Sequence, residues 1–179
     1  MRLLYIILIN LVFSNYSIVQ SESKVEYFGS HPTHGFSGIS SSILLVSDCS
    51  KNGDICDLKF KVPIISLNSG NDNRDSNMLN YLKAFSFPYA ELNIFNFSVK
   101  EYDSEFISAE MTIGGVEQQI SIPITLSKES TEQYKVQSSF TISLKQFGIE
   151  IPKLLFLPIN SNIKINVSLL INSKAKKSK

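Results

Sequence analysis

The sequence predicts an all-β antiparallel domain that carries one short helix. Three observations predict it. Apolar residues recur at every second position over most of the chain. Turn signals at Asn52-Gly53, Asp103-Ser104 and Gly114-Gly115 punctuate those runs. Only the stretch from Val62 to Phe97 contains a helical spacing, and it is opened by the polar run Ser69 to Asp75.

The first segment reads as a leader. Met1-Arg2 is followed by Leu3 to Phe13, broken only by Asn10, and then by polar residues up to Ser21, the layout of a secretory signal. The apolar part is too short to span a bilayer, which needs about 20 residues. Val19 and Ser21 suit a cut after Ser21, with an earlier cut near Ser17 as the alternative. No cysteine lies near the apolar segment, which argues against a lipid anchor on the mature protein. The expected location is periplasmic or secreted, and residues 1–21 are assigned to the leader.

Removing 21 of the 179 residues leaves 158, a length suited to one domain with a sizeable core. Of the 17 basic residues only Arg2 is lost, so 16 basic face 16 acidic ones. A neutral chain has no general attraction for nucleic acid, whose backbone demands clustered Lys and Arg. The lysine-rich end, residues 173–179, is expected to be a disordered tail, with transient contact to anionic lipid as its one electrostatic use.

Period-two sets define the strands in order. Lys24 to Phe28 and Gly38 to Val46 are dense in β-branched and aromatic residues. Leu58, Phe60, Val62 and Ile64 then alternate with polar positions. After the helix come Ala90 to Lys100 and Glu105 to Ile113, then Ile120, Ile122, Ile124 and Leu126, then Phe140, Ile142 and Leu144. Ile163, Ile165, Val167 and Leu169 complete about eight strands. Pro123 cannot donate to a ladder, which places its strand at an edge, a seam or a bulge. The helix is expected over Arg74 to Phe85, with Met78, Tyr81, Leu82 and Phe85 on one stripe and Asn71, Asp72 or Asn73 as its cap. Pro88 returns the chain to extended form.

Cys49 and Cys56 flank the Asn52-Gly53 turn. In a two-residue hairpin centred there, facing residues have numbers that sum to 105, and these two cysteines do. Facing residues are about 4.5 to 5.5 Å apart at Cα, within disulfide range. A structural disulfide is therefore expected, since the spacing matches no redox motif.

Eight such strands pack either as a sandwich or as a closed barrel. A family resemblance separates the two. Val62 to Asp75, followed by Met78, Leu82 and Phe87-Pro88, resembles the central motif of the YceI family of exported lipid-binding proteins. In that family a strand ends in a small Ser/Thr-Gly turn, an Arg-Asp pair opens a helix, and a Pro enters the next strand. Ser30 to Gly38 is similar to the family's early strand, Ile113-Gly-Gly-Val116 to its middle hairpin, and Phe147-Gly-Ile149 to its late signature. Where many members carry a His after the Arg-Asp pair, this chain has Ser76-Asn77.

The resemblance implies an eight-stranded antiparallel lipocalin-like barrel with one short helix over residues 22–172. It also implies an interior that encloses a polyisoprenoid or an isoprenoid quinone. Its ligand-binding residues are expected to be Phe36, Met78, Leu82, Phe85, Phe95 and Phe147, with His34 and Arg74 nearest a polar group. No cofactor is expected beyond that lipid, and a homodimer remains open.

Catalytic patterns do not appear. The sequence has no nucleophile elbow, phosphate loop or dinucleotide fingerprint. His31 and His34 are the only histidines, and no Cys or acidic residue close in sequence completes a metal set. The reading is a binding protein, not an enzyme. Its alternative is a protein-interaction or stress-protective module whose barrel is filled by its own side chains.

Overall fold

The protein is described by a computed structural model covering residues 16–51, 53–98, 102–154 and 156–173. Among the described residues, thirteen strands and one α-helix follow in order. The strands before the helix are β1 (Tyr16–Ile18), β2 (Lys24–His31), β3 (His34–Ser40), β4 (Leu44–Cys49) and β5 (Cys56–Pro63). After α1 (Asp72–Tyr81) come β6 (Tyr89–Phe97), β7 (Phe106–Ile113), β8 (Val116–Pro123) and β9 (Thr125–Lys128). The chain ends with β10 (Gln133–Ser143), the short pair β11 (Lys153–Leu154) and β12 (Leu157–Pro158), and β13 (Asn162–Ser173). The expected leader falls largely on residues 1–15, and most of the expected tail on 174–179, outside the described residues.

The strands form two antiparallel sheets. One runs β3-β2-β13-β10-β9, with β1 beside β13, and the other runs β4-β5-β6-β7-β8. β1 and β2 lie end to end along β13, because Ile18 faces Ile171 while Lys24 faces Ser168. A 3-10 turn at Gln20–Glu22 joins them. Ser23 Oγ accepts from the Leu170 amide at 3.0 Å where the ladder is interrupted.

Turn chemistry sets the registers. Gly114 and Gly115 have φ of 58° and 82° and close the β7–β8 hairpin, in which Ile113 faces Val116. Pro32-Thr33 closes β2–β3 by facing His31 with His34. In β4–β5 the pairing runs from Leu44↔Lys61 to Cys49↔Cys56, and the two cysteines are joined with Cα atoms 4.0 Å apart. Residue 52 of the expected turn lies outside the described residues.

The hydrogen-bonded ladders do not close into one ring, so the expected eight-stranded barrel is seen here as two sheets meeting at seams. At one seam β8 runs into β9 through Ile124. Pro123 has no amide proton to carry the ladder on, and its carbonyl instead accepts from Ser138 Oγ of β10 at 2.6 Å. At the other seam the single strand expected over Gly38 to Val46 is two strands in different sheets. Ser40 Oγ accepts from the Ser42 amide at 3.0 Å and bonds Ser66 Oγ at 2.7 Å, a local alternative to the ladder. Gln20 clamps the residue that follows, donating to the Ile43 carbonyl at 2.6 Å and accepting from its amide at 3.1 Å. Ile39 and Asn68 add a bridge with both bonds at 2.9 Å.

α1 is shorter than its apolar stripe. Asn71 caps it by accepting from the Arg74 amide at 3.0 Å, and Asp72 and Asp75 place negative charge in the first turn. Its end is a Schellman motif: Ala84 N–H donates to the Leu79 carbonyl at 2.8 Å, and Lys83 N–H to the Asn80 carbonyl at 3.0 Å. Lys83 takes the left-handed conformation, φ 53°, that glycine usually supplies there.

Candidate functional site: an apolar cavity between the sheets

The inward faces of both sheets surround a cavity of about 660 Å³, within the range of small-molecule sites. Alternation builds its walls. Leu58, Phe60 and Val62 of β5 face Ile94, Leu92 and Ala90 of β6, and all six line the cavity. From the other sheet come Phe140 and Ile142 of β10, and Ile163, Ile165, Val167, Leu169 and Ile171 of β13. From Ile163 to Ile171 is about 27 Å along the strand at about 3.4 Å per residue, the reach of a long, linear ligand.

Most of the polar lining is gathered at one end. It comes from the β2–β3 turn (His31, His34), the start of α1 (Asn71, Asn73, Arg74, Asn77) and Lys153 of β11. Contacts hold these elements together. The Arg74 guanidinium lies 5.6 Å from the centre of the Phe36 ring, and the Asn160 amide donates to the Ser30 carbonyl at 2.8 Å.

Arg74 and Asp75 serve mainly to fix the turn before α1. Arg74 donates from Nε to Ser69 Oγ at 2.8 Å and from Nη2 to the Ser69 carbonyl at 3.0 Å. Asp75 accepts from the Ser69 amide at 3.1 Å. Tyr27, another lining residue, shares a side-chain hydrogen bond with Ser69. Burial raises the Tyr27 hydroxyl pKa above its ordinary value and Asp75 adds to the rise, while Arg74 and the Ser69 bond oppose it. A neutral phenol therefore faces the cavity.

Two glycines let aromatic rings lie flat on this wall. A Cβ on Gly38 would sit 2.4 Å from the ring of Tyr27, its cross-strand partner, and one on Gly29 would sit 2.3 Å from the ring of its partner Phe36. The Tyr27 and Phe36 rings then meet edge to face at 6.4 Å.

At the end of the hairpin, His31 is 6% exposed and His34 is exposed, with ring centres 5.4 Å apart. Thr33 ties them together: its Oγ lies 2.8 Å from His31 Nδ1 and 2.9 Å from His34 Nδ1, and its amide donates to His31 Nδ1 at 3.3 Å. His31 Nε2 is buried and meets no hydrogen-bond partner among the described residues.

Of the residues expected to contact ligand, His34, Phe36, Arg74, Met78 and Leu82 line the cavity. Phe85, Phe95 and Phe147 do not. The helix ends at Tyr81 and the left-handed Lys83 turns the chain out of phase, leaving Phe85 84% exposed. Phe95 is the outward neighbour of the inward Ile94 and is 51% exposed. Phe147 is 1% exposed in a core cluster behind the lining. The strand residues that make most of the wall were absent from the expected contacts, although their period-two pattern marks them. The burial of His31 has no sequence signal that separates it from His34. Among the described residues, no three His, Cys, Asp or Glu side chains converge to hold a metal ion.

Solved structures share this architecture. A polyisoprenoid-binding domain from Saccharophagus degradans, implicated in plant cell wall breakdown, superposes with a TM-score of 0.75 at 17% identity, covering 90% of this chain and 99% of that one. Burkholderia cenocepacia BcnA gives 0.70 at 12% identity, over 86% and 99%. The Campylobacter jejuni YCEI protein gives 0.55 at 18% identity, over 82% and 85%. No curated protein matches by sequence. The YceI-like domain model matches residues 16–171, from the first residue of β1 to Ile171, the last residue of β13 on the cavity lining, and the chain belongs to the YceI-like family.

Proposed function

We propose that this protein is exported and carries or sequesters a polyisoprenoid, such as an isoprenoid quinone, in the cavity between its sheets. The observation that carries the reading is the cavity itself: long, lined by hydrocarbon, and polar mainly at one end. Burying about a dozen methylene-sized groups at about 0.8 kcal/mol each gives roughly 10 kcal/mol before ordering costs, enough for tight binding without a charged contact. In this role the seamed sheets act together as a barrel wall, and the protein binds without catalysing. The polyisoprenoid-binding domain among the similar structures supports the ligand class.

Loading would take place at a membrane, in the periplasm or outside the cell. Exposed Leu154, Phe156 and Leu157 on the β11–β12 hairpin, beside the lining residues Pro152 and Lys153, support brief contact of this rim with lipid. Native mass spectrometry of protein purified from its own compartment tests the reading. A mass excess that organic extraction releases as an isoprenoid is expected, and the same spectrum tells monomer from homodimer. An empty protein that also refuses added isoprenoid would favour the interaction-module alternative.

A further inference from the structure

His31 is a buried side chain on the cavity wall whose Nε2 has no hydrogen-bond partner among the described residues. Its protonation pattern follows from its neighbours. The Thr33 amide can only donate, so His31 Nδ1 is an acceptor and, in the neutral ring, Nε2 carries the proton. The remaining contacts agree when Thr33 Oγ–H also donates to His31 Nδ1 and Oγ accepts from His34 Nδ1–H. An N–H donor on a residue of the cavity wall is thus left buried and unsatisfied, an arrangement that costs free energy until an acceptor reaches it.

We propose that His31 Nε2–H is the anchor for the ligand's polar end, and that this end is an uncharged oxygen acceptor of the carbonyl or hydroxyl kind. The inference rests on the isoprenoid reading and specifies what terminates the chain. A single N–H suits a single oxygen. A phosphate head would need buried counter-charge, yet Arg74 has Nε and Nη2 engaged by Ser69, and Asp75 stands at the same turn. Lys153, the other cation on the lining, is exposed at the rim.

The test compares an isoprenoid quinone with a pure isoprenoid hydrocarbon of matched chain length, by titration of the wild type, His31→Phe and His31→Gln. The hydrocarbon also serves as the folding control, since it needs only the apolar wall. From wild type to His31→Phe the quinone-over-hydrocarbon affinity ratio is expected to fall about five- to tenfold, the worth of one hydrogen bond to a buried donor. His31→Gln, which keeps an N–H donor, should restore part of the ratio. In ring 15N spectra the His31 Nε2–H signal should move on adding quinone and stay in place with hydrocarbon. An unchanged ratio in His31→Phe overturns the proposal while leaving the isoprenoid reading standing. Failure of both ligands to bind wild type overturns both.

Discussion

Tyr27 and Lys83 show how single residues set the terms of this fold. Because the Tyr27 hydroxyl pKa lies above its ordinary 10.0 in the folded protein, the native state holds that proton more tightly than the unfolded chain does. Its contribution is fully present below about pH 10 and is lost as pH rises through the folded value. Urea unfolding followed upward from about pH 9 should show stability falling with pH, and less steeply in Tyr27→Phe. Equal slopes would mean that Tyr27 is not the group concerned. Lys83 occupies a left-handed C-terminal position with its side chain exposed. Lys83→Gly should therefore raise stability by about 0.5 to 1 kcal/mol in thermal or urea unfolding. At this scale the sequence was only partly legible. Motif position singled out Arg74, Met78 and Leu82, which line the cavity, but it could not foresee that the helix stops before Phe85. Nor could it show that Phe95 follows an inward Ile94, or that His31, not His34, is the buried one of the pair.

Among the elements, the β2–β3 hairpin and β1 bear most on the site. The Tyr27 ring covers Gly38, so Gly38→Ala would drive a methyl into that ring and displace it from the Ser69 corner. A loss of about 1 to 3 kcal/mol is expected in urea unfolding, as for overpacked core positions. A loss smaller than that would mean the ring shifts freely. β1 and the Gln20 clamp lie within the segment that a cut after Ser21 removes, yet β1 pairs with β13 and Gln20 holds Ile43 of the opposite sheet. A chain beginning at Glu22 should accordingly unfold at lower urea than one beginning at Tyr16. Equal midpoints would show that these contacts add nothing. Most strands were legible because alternation survives wherever one face is buried, and the Cys49–Cys56 register followed from turn arithmetic. The break at Ser40 was not legible, since it depends on hydroxyl bonds to Ser42 and to Ser66, 26 residues away.

Across the whole molecule, the cavity arises from how two sheets face one another. Period two reveals that each strand has an apolar face; it does not reveal whether opposing faces interdigitate into a solid core or stand apart. The inward sets at Leu58 to Ile64, Phe140 to Leu144 and Ile163 to Leu169 were all readable, and all of them line the cavity, but the space between them was not. The seams at Ile124 and Ile43 were likewise hidden, because side chains and single bonds replace a ladder there. The central claim is that an isoprenoid enters this space, and methyl NMR during a titration with an isoprenoid quinone tests it most directly. The account predicts that the methyl signals of Ile122, Ile163 and Ile171, which line the cavity, shift, while those of the exposed Ile39, Ile55 and Ile65 outside it stay in place. Shifts confined to the outer set, or none in either, would contradict it.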